Sequence, residues 1–309
     1  MTETARPTAH ARLARAKLNY ALHVTGQRAD GYHLIDSLAV FPAIGDRVGL
    51  GPRGSAPGLT LSGRFAADLV PSGDPSGDAS ADNLVTAAAR RLASHLDRDA
   101  DVALELKKTL PVASGIGGGS ADAAATLRLL RDLWGPDLDD ETLAGLAADL
   151  GADVPMCLLS KPVRVEGIGE ILTPLERFPA HAVVMANPGI AVSTPDVFKG
   201  LTTKDNPPLP ALPEDGFGDL DALCAWLKAT RNDLERPARG IAPEVDGMLA
   251  ALGGCAGAML ARMSGSGATC FAIFATLTEA QAAEQALHAA HPGWWVAAAP
   301  VERIGAFAG

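Results

Sequence analysis

Apolar and polar residues change their period several times along the chain, and each change marks an element. Between Leu22 and Leu50, short apolar runs are broken by Gly and Asp, the pattern of strands joined by turns. Two polar stretches, PRGSAPG (52–58) and PSGDPSGDASAD (71–82), are rich in Gly and Pro and read as surface loops bracketing one short strand. From Asp82, a suitable N-cap, Leu84, Ala88, Leu92 and Leu96 recur every four residues and predict an amphipathic helix. DVALEL then alternates as a strand ending near Lys107. Beyond a run of glycines, Leu127, Leu130 and Trp134 share one helical face, so the glycines join a strand to a helix. A further helix over 140–150 meets Gly151, whose tolerance of positive φ suits a stop.

Strand-like sequence returns between Ser160 and Ala182. A chain of 309 residues is long for one core, so two domains are expected, divided as 1–170 and 171–309. Residues 203–219, TKDNPPLPALPEDGFGD, form the longest proline-rich segment and read as a mobile surface loop. The last hundred residues read helix, helix, the turn MSGSGATC, strand, helix, strand, with Thr278 and Gln281 as a capping box. The first fourteen residues read as a loose tail.

Charge narrows the partners. A formal net charge of -10 argues against a nucleic-acid or membrane-surface binder, which needs an excess of Lys and Arg. An anionic ligand must therefore meet positive potential that is concentrated locally. The N-terminus lacks the apolar stretch of a signal peptide and no 18 apolar residues run together, so a cytoplasmic protein is expected. Cys157, Cys224, Cys255 and Cys270 are scattered without a CxxC spacing and read as reduced, mostly buried thiols.

The glycine window, LPVASGIGGGSADAAATLRLL (110–130), carries the chemistry. Glycines let backbone N–H groups approach a ligand with no Cβ in the way, and the helix that follows adds about half a positive charge. A tight strand-to-helix connection is the plain alternative. Four clustered glycines (Gly115, Gly117, Gly118, Gly119) followed by Ser120 favour a phosphate cradle. A Walker A loop is excluded because no Gly-Lys pair exists, and the dinucleotide fingerprint counted from Gly115 meets Ser120 where its third glycine belongs. A protein-kinase loop lies between two strands, whereas this one opens a helix.

PVASGIGGGSADAA resembles the Pro-x3-Gly-Leu-Gly-Ser-Ser-Ala motif of the galactokinase, homoserine kinase, mevalonate kinase and phosphomevalonate kinase (GHMP) superfamily. AKLNYALHVTGQRADGYHLIDSLAVF (16–41), LGADVPMCL and MSGSGATCFAIF resemble motifs of its branch acting on 4-diphosphocytidyl-2-C-methyl-D-erythritol, in the non-mevalonate route to isoprenoids. Gly118 and Gly119 depart from the superfamily's usual serines, which fits that branch better than galactokinase or mevalonate kinase.

The resemblance implies a two-domain α+β fold: an N-terminal ribosomal protein S5 domain 2-like ATP-binding domain and a C-terminal ferredoxin-like α/β domain. It implies ATP with Mg2+ as cofactors and a small-molecule acceptor, with no nucleic acid and no membrane as partner. Pro111, Val112, Ala113, Ser114, Gly115, Ile116, Gly117, Gly118, Gly119, Ser120 and Ala121 would hold ATP phosphates, and the Ser120 hydroxyl would meet Mg2+. No carboxylate ligand of the metal is assigned. Asp153 would accept the proton of the substrate hydroxyl, with Lys17 as its cationic neighbour. A carboxylate beside an ammonium is a weak base, which phosphoryl transfer tolerates because orientation and charge neutralisation carry most of the acceleration.

Asn19, Tyr32, His33, Thr194 and Phe198 would contact the acceptor, Tyr32 and Phe198 as the aromatic faces of the cytosine pocket. Taken singly, these residues have plainer readings. Lys17 is then a surface cation, Asp153 a helix cap ahead of Pro155, Thr194 a cap ahead of Pro195, Phe198 a core residue and His33 a backbone partner. The turn Ser264 to Thr269 brings amides of the second half toward the site, or is simply tight. Competing functions are another GHMP small-molecule kinase, a non-catalytic nucleotide-binding protein and a Rossmann dehydrogenase.

Overall fold

The computed structural model describes residues 11–70 and 83–305. Three four-stranded sheets carry the chain. The first runs in the order β1 (Ala11–Arg15), β4 (Gly45–Leu50), β6 (Ala103–Lys107), β5 (Gly58–Ser62). The second is β2 (Leu18–Gln27), β3 (His33–Val40), β7 (Val163–Gly167), β8 (Ile171–Pro174). The third is β10 (Leu260–Met263), β11 (Cys270–Phe274), β9 (His181–Asn187), β12 (Trp295–Val301). All pairings are antiparallel except β5 with β6, which α1 (Leu84–His95) connects as a crossover.

The glycine loop leads from β6 into α2 (Gly118–Trp134). This helix is rich in alanine, and its small side chains let it sink against α1, β1, β4 and the short α4 (Val154–Leu159), with α3 (Asp140–Ala148) alongside. Residues Ala121 to Leu127 of α2 are buried without a break. A central cluster then joins the second sheet to the third: Leu18, Tyr20, Leu38 and Val40 pack with Met185, Phe271 and Ile273. Leu110 and Ile116, which flank the glycine loop, belong to that cluster and tie the loop to it. β9 is buried along its whole length, because the central cluster covers one face and α8 (Glu244–Gly253) with α9 (Leu277–Ala290) the other. Its central apolar run, AVVMA between His181 and Asn187, is what such a two-faced environment selects. Between them α5 (Thr194–Lys199), α6 (Leu220–Lys228) and α7 (Glu235–Ile241) complete the chain.

Several expectations need correction. Residues 11–14 are not tail but the edge strand β1, paired with β4; residues 1–10 and the loop 71–82 lie outside the described residues. The cap of α1 is Asn83, whose side chain accepts from Val85 N, one residue beyond the expected Asp82. The late capping box is Thr276 with Glu279, not Thr278 with Gln281, because Glu279 reaches back to the Thr276 amide. α3 ends at Ala148, and Gly151, at φ 154°, serves the turn into α4.

The sequence pattern hides β10 because Arg262 interrupts it. The buried guanidinium donates to the carbonyls of Tyr20, Leu227 and Thr230, which compensates for its burial. The proline-rich segment is a surface loop anchored at several points. Proline removes ladder donors and keeps it out of a sheet, yet Asn206 N and Nδ2 both donate to Val24 O (3.1 and 2.9 Å) and Leu209 N to Asp36 Oδ2 (2.8 Å). Leu209 and Phe217 are buried. Cys157, Cys224 and Cys270 are buried free thiols and Cys255 is half-buried, as expected. Among the described residues no helix is long and apolar enough to cross a membrane.

Candidate functional site

The glycine loop owes its course to residues that place φ in the left-handed region: Ala113 (49°), Gly115 (76°) and Gly117 (64°). Two of them also need the missing side chain. A Cβ on Gly115 would stand 2.6 Å from Ser264 O and 2.8 Å from Gly267 O, so the loop touches the SGSGAT turn of the second half. A Cβ on Gly117 would stand 3.2 Å from Lys17 Cε and 3.9 Å from Asp153 Oδ2.

The loop is pinned from below. Ile116 is fully buried and its carbonyl accepts from Lys17 N (2.9 Å), while Ser114 O accepts from Thr269 N (3.2 Å). The Ser114 hydroxyl donates to Pro111 O (2.7 Å). The first intrahelical bond is Ala121 N to Gly117 O, so the amides of Gly118, Gly119 and Ser120 precede it at the positive end of a 17-residue helix. Gly119 is exposed and Ser120 half-buried, whereas Pro111 and Ala121 face the interior.

Lys17 lies between β1 and β2, and its buried ammonium is 3.1 Å from Asp153 Oδ2 and 2.9 Å from Asn19 Oδ1. Asn19 is itself held: its Nδ2 donates to Ser37 Oγ, and Ser37 Oγ to Ala21 O. The Asn19 amide donates to Ser264 Oγ (3.0 Å), which donates on to Gly115 O (3.1 Å). One chain of bonds thus links the cation, the glycine loop and the second half. Asp153 stands at the N-cap of α4, but its side chain makes no capping bond and remains about two-fifths exposed (39%). The plain capping role is therefore ruled out, and so is a solvated Lys17.

Around the DGYH turn, His33 stacks on Phe198, with ring centroids 4.7 Å apart and planes 27° from parallel. Phe198 also packs against the third core cluster, as its plainer apolar reading expects, while its ring faces His33. Tyr32 is 63% exposed beside them. The His33 Nε2 atom is buried without a hydrogen-bond partner among the described residues. Burial lowers the His33 pKa, and the nearby Lys204 charge lowers it further. Ser193, not Thr194, caps α5, which leaves the Thr194 hydroxyl 2.7 Å from Ser266 Oγ.

One cluster had no counterpart among the sequence expectations. Lys108 is fully buried between Asp46 of β4 and Asp122 of α2, with its ammonium bonded to Asp46 Oδ2 and, at 2.9 Å, to Asp122 Oδ2. Asp46 Oδ1 also accepts the amides of Thr109 and Leu110, at the entrance to the loop. A Cβ on Gly118 would meet Lys108 Nζ at 3.0 Å, so the trio supports the first turn of α2 from beneath. Burial tends to lower the Lys108 pKa, but Asp122 and Asp46 together raise it. Asp122 is pushed up to about 7, because burial and the Asp46 carboxylate outweigh its attraction to Lys108, and its Oδ1 has no partner. The available signal was an acid inside an alanine-rich helix, out of step with its neighbours.

Among the described residues no three His, Cys, Asp or Glu side chains gather to hold a metal. A divalent ion carried by phosphates is commonly met by one or two protein carboxylates, and the start of α2 carries the Ser120 hydroxyl instead.

Comparison with known proteins shows the family. Residues 83–161 match the GHMP kinases N terminal domain and residues 209–293 the GHMP kinases C terminal domain. The 4-diphosphocytidyl-2-C-methyl-D-erythritol kinase of Cereibacter sphaeroides is 52% identical over 284 residues, 92% of this chain and 96% of that protein. The kinase of the same name from Rhizobium leguminosarum is 52% identical over 283 residues, 91% of each chain. A crystal structure of 4-(cytidine 5'-diphospho)-2C-methyl-D-erythritol kinase superposes with a TM-score of 0.70 at 30% identity, covering 94% of this chain and 98% of that one. A homoserine kinase from Cytophaga hutchinsonii, at 19% identity and a TM-score of 0.62, shares the fold.

Proposed function

The chain belongs to the GHMP kinase family, in the branch of the 4-diphosphocytidyl-2-C-methyl-D-erythritol kinases, and from that premise we propose how its residues divide the work of phosphoryl transfer. The acceptor is 4-diphosphocytidyl-2-C-methyl-D-erythritol. Its 2-hydroxyl oxygen attacks the γ-phosphorus of ATP, the bond to the β-phosphate oxygen breaks, and ADP leaves. The hydroxyl proton passes to Asp153.

The observation that carries this reading is the Lys17–Asp153 pair, 3.1 Å apart and opening beneath Gly117. Asp153 orients the hydroxyl and takes its proton late, as a weak base should in a loose transition state. Lys17, fixed by Asn19, supplies positive charge where the transferring group becomes more negative. The backbone of 111–121 holds the phosphate chain, through the amides from Ser114 to Ser120. Magnesium, when bound with ATP, neutralises phosphate charge, and Ser120 Oγ is the oxygen we assign to it. Asn19, Tyr32, His33, Thr194 and Phe198 form the acceptor side. On this division residues 1–170 hold the nucleotide and residues 171–309 supply Thr194, Phe198 and the Ser264–Thr269 turn. A reaction that consumes ATP suits the cytoplasm.

The test is ADP formation from ATP with 4-diphosphocytidyl-2-C-methyl-D-erythritol, homoserine and mevalonate offered in turn. Turnover with the first, and a new phosphate ester on its 2-oxygen by 31P NMR, supports the reading. Turnover confined to either of the others overturns it.

A further inference from the structure

An acceptor with a diphosphate at its middle needs a counter-charge in a chain whose net charge is -10. Of the cations near the His33–Phe198 stack, Arg28 is neutralised by Asp30 (2.7 Å) and Lys199 by Asp196 (3.3 Å). Lys204 differs. Its ammonium donates to Gln27 Oε1 (3.1 Å), and among the described residues no carboxylate lies within ion-pair distance of it.

Gln27 faces His33 directly in the register of β2 with β3, so the Lys204 charge sits beside the ring that covers Phe198. Two residues further on, Asn206 fastens the segment to Val24 through both its amides, and Pro207 O meets His23 Nδ1 (2.9 Å). The ammonium is therefore held near the aromatic rings before any ligand arrives, which lowers the ordering cost of using it.

We propose that Lys204 is a specificity-determining residue of the acceptor site, binding the diphosphate of a cytidine diphosphate group whose base lies at the His33, Phe198 and Tyr32 rings. The inference rests on the functional reading above and accounts for the anchoring of the proline-rich segment, whose backbone bonds hold this cation in place.

Titration calorimetry with CDP and with cytidine isolates the diphosphate contribution. The wild type binds CDP more tightly than cytidine, and Lys204→Ala reduces that ratio about tenfold while cytidine affinity stays within twofold. Lys204→Arg keeps most of the ratio. In turnover, Lys204→Ala raises the acceptor KM about tenfold with kcat and the ATP KM unchanged. An unaltered CDP-to-cytidine ratio in Lys204→Ala, beside a wild type that phosphorylates the full acceptor, overturns the Lys204 assignment alone. A wild type that neither binds CDP nor phosphorylates the acceptor overturns the functional reading together with it. Equal losses for CDP and cytidine would mark a structural role and also refute the assignment.

Discussion

The Asp153 carboxylate lies 3.1 Å from the Lys17 ammonium and makes no hydrogen bond to the helix whose N-cap it occupies. A capping Asp spends its oxygens on the first-turn amides, whereas this one keeps them for the cation and for the space under Gly117. Asp153→Asn preserves the shape and removes the proton acceptor. Turnover should fall by about 10²- to 10⁴-fold, with ATP affinity within a few-fold by calorimetry. Turnover within threefold of wild type would remove Asp153 from the proton's path.

The two left-handed glycines should fail differently. Gly115→Ala drives a Cβ to 2.6 Å from Ser264 O, a backbone atom held by the second half, so it should lower the melting temperature and disturb the junction. Gly117→Ala meets the aliphatic stem of Lys17 at 3.2 Å and no backbone atom among its nearest neighbours, with a backbone penalty of about 1–2 kcal/mol. It should fold, and lose turnover because Lys17 is displaced. Thermal unfolding and initial rates on both variants separate the cases; equal melting temperatures would contradict the contrast.

Asp122 should leave a mark on the pH dependence of stability. Its pKa is raised from 3.8 to about 7 in the folded protein, so between those values the native state holds a proton that the unfolded chain has released. Stability from this group therefore falls as pH rises from about 4 to about 7. Asp122→Asn removes that slope. Urea unfolding at pH 5 and pH 7 should show the variant gaining on the wild type by on the order of 2 kcal/mol across the interval. A parallel pH dependence in the two proteins would show that Asp122 is ionised throughout.

Stacking on a base is worth about 1–3 kcal/mol per ring. Phe198→Ala should raise the acceptor KM by that equivalent, roughly tenfold or more, and free His33 from its partner. Tyr32→Ala should raise the same constant with little effect on stability, since the ring is 63% exposed. Acceptor saturation curves on the two variants check both; an unchanged KM in either removes that ring from the pocket.

What the sequence disclosed, and what it hid, follows from the range of the forces involved. The glycine loop was legible because a strand, a helix and the need for positive φ are local properties. So were the strands between Leu22 and Leu50, whose short apolar runs are separated by Gly and Asp. Boundaries slipped by one or two residues where several neighbouring polar residue types suit a cap, so that Asn83 and Thr276 are the caps rather than the residues the sequence pattern singles out. The Asp46–Lys108–Asp122 trio stayed hidden because its members lie 62 and 14 residues apart and only the fold brings them together. Lys108 follows another lysine and looks like surface. Arg262 disguised a strand for the same reason: a buried guanidinium makes sense only once the carbonyls of Tyr20 and Thr230 are in place. The proline-rich segment reads as loose because its anchors are tertiary, on Val24, His23 and Asp36.

The central claim is that the glycine loop holds the triphosphate while Lys17 and Asp153 meet the hydroxyl at its end. A crystal structure with a non-hydrolysable ATP analogue and the acceptor tests it most directly. Phosphate oxygens are expected on the amides between Ser114 and Ser120, the γ-phosphate beside the Lys17 ammonium, and the acceptor 2-hydroxyl within hydrogen-bond reach of Asp153. A triphosphate seated elsewhere, with the glycine loop facing solvent and Asp153 far from the hydroxyl, would contradict it.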